Sequence, residues 1–154
     1  MYRIQGLDPA PFKPLYGLND DELAKRGIVR MTVDGPGFPC RVSLADRKPG
    51  EQVLLLNHVS NDVANPYRAS HAIFVTEGAE ISAEYVDEIP PVLGSRVLSL
   101  RGFDADGMMA DAALAQPGEA EDAIRRLFAN PQIATIHAHN ATRGCFAAKI
   151  ERHE

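Results

Sequence analysis

Two imidazoles, a side-chain amide and a thiol fall within residues 137–145, at His137, His139, Asn140 and Cys145. Residues 133–139 alternate with the period of two that marks a strand. Residues 140–144 (NATRG) are turn formers, and residues 145–150 resume the alternation. The stretch is therefore expected to be a β-hairpin. Alternation places Ala134, Ile136 and Ala138 on one face with Phe146, Ala148 and Ile150, and places Thr135, His137 and His139 on the other with Cys145, Ala147 and Lys149. The second face could support two kinds of chemistry. Cys145 can act as a nucleophile if His137 serves as base and Asn140 or Arg143 as oxyanion partner. Alternatively, His137 and His139 can ligate a metal with Cys145 or His71. Neither a CxxC nor an HExxH pattern accompanies them, so no metal is favoured and no cofactor is expected.

A third chemistry comes from arginine, which supplies 12 of the 16 basic residues. A guanidinium fork grips carboxylates and phosphates through paired N–H donors. Arg41, Arg68, Arg101 and Arg143 are the candidates for a pocket holding a small anionic ligand. This reading requires the least special geometry and is preferred. A Cys/His enzyme or metal-binding protein built on the hairpin stays open. So does a homo-oligomeric module, a homodimer for instance, in which a sheet edge or the proline-rich arm docks a second copy. Cys40 either is activated by the neighbouring Arg41 or simply packs. Asp104 and Asp106 lack the remaining ligands of a calcium loop and read as turn residues. The glycines at 35 and 37 lack the strand–loop–helix context of a phosphate loop.

The elements that must carry these residues follow from patterning. Residues 2–7 read as a strand, ended by a proline-rich arm. Asn19 can cap a short helix, with Glu22 in the capping-box position, Leu18 stapled to Leu23, and Gly27 placed to end it. Residues 28–33, 53–56, 71–76 and 96–101 read as strands, and a hairpin returns over residues 108–114. Residues 57–70 show no regular period and read as a long loop. Pro117, early acids and the later Arg125 and Arg126 mark a longer helix with Ala120, Ala123, Ile124, Leu127 and Phe128 on one stripe. The expected architecture is α+β, a single domain over residues 1–154. It has a mainly antiparallel β-sheet, one short and one longer helix, and the C-terminal β-hairpin. A site is expected where that hairpin, Cys40–Arg41 and residues 57–70 meet.

Length and composition narrow the class. The 154 residues suit one ordinary domain, and the apolar share of 45% and charged share of 24% are those of a globular protein. The net charge of −5 and scattered basic residues give no footprint for nucleic acid. No apolar run approaches a membrane span, and two cysteines are too few for a disulfide framework, so a cytoplasmic protein with free thiols is expected.

Several runs taken in order carry a resemblance: CRVSLAD at 40–46 with PGE at 49–51 and LLL at 54–56, IFV at 73–75, FDADG at 103–107, and HAHN at 137–140 with GCF at 144–146. Together they resemble the bacterial domain of unknown function 1203 family, whose members are about this length. The resemblance implies a small bacterial protein and brings no activity, ligand or catalytic residue with it.

Overall fold

Asn19 caps the first helix as its position predicts. Its side-chain oxygen accepts from the Glu22 amide at 2.8 Å, three acids occupy the first turn, and Gly27 leaves the helix with φ at 71°. That helix, Asp20–Lys25, is α1 in a computed structural model that describes residues 1–154.

The chain runs through β1 (Tyr2–Gln5), a 3-10 turn (Lys13–Leu15), α1, β2 (Val29–Thr32), β3 (Pro39–Cys40), β4 (Ala45–Asp46), β5 (Gln52–Asn61) and β6 (Ala69–Thr76). It continues through β7 (Glu84–Val86), α2 (Pro91–Gly94), β8 (Leu98–Phe103), β9 (Met109–Ala115), α3 (Ala120–Phe128), β10 (Thr135–Asn140) and β11 (Phe146–Arg152).

The fold is α+β with two sheets. One has the order β7-β1-β11-β10-β8-β9 and is antiparallel throughout; the other has the order β2-β5-β6-β3-β4, antiparallel except where Cys40 pairs with Phe74 in parallel. The second sheet is an excursion of the chain between β1 and β7 of the first. Each has its own core. Ala120, Ala123, Ile124 and Leu127 of α3 bury their stripe against Leu98, Leu100, Ile136, Ala138, Ala148 and Ile150 of the six-stranded sheet. Phe12, Leu23 and Ile28 cover Leu54, Leu56, Ile73 and Val75 of the five-stranded one.

Two expectations change. Residues 57–70 are half ladder, because β5 continues to Asn61 and β6 starts at Ala69, leaving residues 62–68 as the connection. Beyond Leu56 the strands leave the apolar core, so the hydropathy alternation fades while the backbone pairing persists from Asn57↔Ala72 to Asn61↔Ala69. The C-terminal hairpin forms, but a β-bulge interrupts it. Ala138 faces Ala148, whereas His139 faces Phe146, so Ala147 is the extra residue. One inserted residue reverses the faces beyond it. Phe146 therefore turns toward the histidines, and Ala147 joins the core behind α3.

Candidate functional site

The Gly/Pro turn at 34–39, together with Phe74 of β6, forms one wall of an open cleft of about 510 Å³, and residues 96–97 and 140–145 form the other. Arg41 lies across its floor. The strand pairing that sets Cys40 beside Phe74 also brings the Arg41 amide to the Phe74 carbonyl at 3.0 Å, which aims the side chain at the hairpin turn. There Nε donates to the Phe146 carbonyl at 2.7 Å, Nη1 to the Pro39 carbonyl at 2.7 Å, and Nη2 to Sγ of Cys145 at 3.2 Å. The residue is only 3% exposed and has no carboxylate partner. Burial pulls its pKa below the ordinary arginine value, opposed chiefly by the sulfur of Cys145.

Cys145 is half-buried, and its sulfur accepts a second hydrogen bond from Nδ2 of Asn140 at 3.3 Å. Asn140 is itself held by the hairpin turn, its amide donating to the Cys145 carbonyl and its carbonyl accepting from Gly144. Arg143 is exposed at the rim and makes no ion pair. Arg96 completes the basic lining, but its charge is engaged with Asp46 at 2.9 Å. No aspartate or glutamate lines the cleft. Its apolar lining is Met31, Phe38, Phe74 and Val97, with the two phenyl rings 5.1 Å apart.

Four of the predicted residues, Arg41, Asn140, Arg143 and Cys145, thus surround one cleft. The others lie elsewhere. Arg68 is ion-paired to Asp62 on the exposed connection between β5 and β6. Arg101 sits opposite His137 in the ladder, and its nearest acceptor is Ser99. His137 and His139 face the second sheet, not Cys145, because Asn140 and Cys145 project from the opposite side of the strands. They form a cluster with His58, His71, Phe103 and Phe146. In it the His71 and His139 rings are 4.8 Å apart, and Phe146 lies 5.5 Å from both His58 and His137. Desolvation lowers all four histidines from their usual value, His137 and His139 to about 4. No group of three or more His, Cys, Asp or Glu side chains is arranged to hold a metal ion. Cys40 is buried in the core of the five-stranded sheet, and neither cysteine is disulfide-bonded. Asp104 accepts from the Asp106 and Met108 amides, closing a turn.

Sequence reasoning missed Arg96 and the aromatic wall. Arg96 reads as the first residue of a strand. Phe38 was the available signal, an aromatic set inside a Gly/Pro turn that has no core of its own to bury it.

The family model described as Protein of unknown function (DUF1203) matches residues 37–152, a span that includes Arg41, Asn140, Arg143 and Cys145. No curated protein and no solved structure matches the chain. No helix is long and apolar enough to cross a membrane.

Proposed function

The chain belongs to the DUF1203 family, which is defined without a function, and we propose that this member binds a small anionic ligand, a carboxylate or a phosphate, in the arginine-lined cleft. The observation that carries this reading is Arg41, a buried guanidinium with no counter-carboxylate. A desolvated charge is costly unless paired, and backbone carbonyls and a sulfur offset that cost only in part. Three of its five N–H donors are used, so two remain for a ligand. Arg143, unpaired at the rim, is a second fork for the same anion. The free thiols of Cys40 and Cys145 are in keeping with a cytoplasmic setting.

Calorimetric titration with acetate and with inorganic phosphate at low ionic strength tests the reading. Saturable binding is expected, weakened about ten-fold in Arg143→Ala, the scale of one charge-assisted hydrogen bond. The melting temperature should not change, since Arg143 is exposed and bonds nothing. Absence of binding by both anions would end the proposal.

One observation favours a second reading in the same place, a thiol nucleophile. The sulfur of Cys145 is partly exposed in the cleft and accepts from Arg41 and Asn140, beside where a bound electrophile would sit. Alkylation by iodoacetamide should then reach Cys145 well ahead of buried Cys40, and phosphate should slow it. Equal rates at the two thiols would remove this alternative.

A further inference from the structure

We infer that the ligand is an aryl or arylalkyl carboxylate lacking an ammonium group; this rests on the anion reading and specifies its chemistry. The cleft offers two kinds of lining. Arg41 and Arg143 supply charge, and Phe38, Phe74, Met31 and Val97 supply apolar surface, with the phenyl rings tilted at 45° to one another. A third flat ring meets such a pair edge-on or offset, the arrangements that aromatic quadrupoles favour. The volume agrees. A space of about 510 Å³ is that of an ordinary organic-ligand pocket and leaves most of its wall unfilled by a bare inorganic anion.

The charge pattern decides what the ligand's head is. The unpaired fork of Arg143, with the two N–H groups of Arg41 that the protein leaves unused, matches the two oxygens of a carboxylate. No helix N-terminus, the commonest backbone cradle for a phosphate, lines the cleft. The same pattern excludes an amine. No carboxylate of the protein lines the cleft, and the nearest, Asp46, is held by Arg96. An ammonium group on the ligand would be desolvated beside guanidinium groups without any acceptor of opposite charge, so free amino acids are rejected where their deaminated counterparts are taken.

Titration of the intact protein with phenylpropionate, phenylalanine, acetate and inorganic phosphate tests this. Phenylpropionate and phenylalanine differ only by the amino group. Phenylpropionate is expected to bind at least about ten-fold tighter than acetate, from ring burial, and at least about ten-fold tighter than phenylalanine. Phe38→Leu, in a surface turn, should weaken phenylpropionate about five-fold and leave acetate unchanged. Should acetate or phosphate match phenylpropionate, or phenylalanine bind as well, the aryl-carboxylate inference is overturned while the anion reading stands. If neither acetate nor phosphate binds, the anion reading falls and this inference with it.

Discussion

Arg41 shows how one side chain can join two parts of a fold while lining a cleft between them. Its backbone follows β3, with its amide bonded to β6 of the five-stranded sheet, while its guanidinium is bonded to the Phe146 carbonyl of the six-stranded one and to the Cys145 sulfur in the adjoining turn. A lysine at this position keeps the charge but cannot reach the Phe146 and Pro39 carbonyls together, because an ammonium is a point donor and a guanidinium a fork. Arg41→Lys is therefore expected to cost about 2 to 4 kcal/mol, since bonds from a charged donor are worth about 1.5 to 3 kcal/mol each and an orphaned buried carbonyl adds to the loss. Urea unfolding measures it, and a change below about 0.5 kcal/mol, the size of an ordinary surface substitution, would mean that the fork holds nothing. Residue types alone pointed to arginines, a cysteine and an asparagine. They could not say that Arg41 and Arg143 share a cleft while Arg101 goes to the histidines, because that depends on which strands lie side by side over more than 100 positions of sequence.

The elements themselves were more legible than their assembly. Local chemistry specifies a capped helix, an apolar helical stripe or a turn over a few residues, so α1, α3 and the hairpin at 133–150 follow from the chain's own pattern. The bulge at Ala147 does not, since alternation continues through it in the sequence and only the partner strand reveals the extra residue. Gly6 is another such case. Read locally it merely ends a strand, yet in the fold it is where β1 hands the chain to the second sheet, with its amide donating to Ala83 and its carbonyl accepting from Ser82. A Cβ there would run into the Val42 carbonyl, which is itself bonded to the Ala83 amide. Backbone on both sides leaves little room to yield. Gly6→Ala is expected to destabilise by about 3 kcal/mol or leave no folded protein, the upper end of what overpacking costs. Gly35→Ala, whose Cβ would meet nothing within 4 Å, should stay within about 0.5 kcal/mol. Equal midpoints for the two variants in a denaturant series would show that the approach at Gly6 is not tight.

At the scale of the whole molecule, two sheets with separate cores meet through an interface lined by imidazoles. Composition reveals five histidines but not that four of them converge, because His58 and His71 lie in a stretch whose periodicity is polar and whose strands are visible only as a pair. The groups facing this cluster make it acid-sensitive. Arg101 comes from β8, Lys149 from β11 and Arg41 from the turn that follows β3, all cations, and no carboxylate acts on the four rings to offset them. His137 and His139 are 4% and 1% exposed, and the folded state holds both near 4 against about 6.5 for an unfolded chain. Between those values the unfolded chain binds more protons than the native one, so stability rises with pH across the window and is lost as pH falls from about 6.5 toward 4. Each unit of difference is worth about 1.4 kcal/mol, so two such rings amount to several kcal/mol, a large fraction of what holds a small protein folded. Carboxylates contribute in a different range. Glu151, lowered first by its hydrogen bond from Lys149, gives stability that is lost only as pH falls below the ordinary carboxylate value and through its own depressed one. Urea midpoints taken from pH 7.5 to 4.5 separate the two, as His139→Phe keeps a ring against Phe146 and removes one titrating group. The wild type should lose stability steadily below about pH 6.5, and the variant should lose less over the same interval. If both fall in parallel, the acid response belongs to the carboxylates, and the interface between the sheets does not depend on its imidazoles remaining neutral.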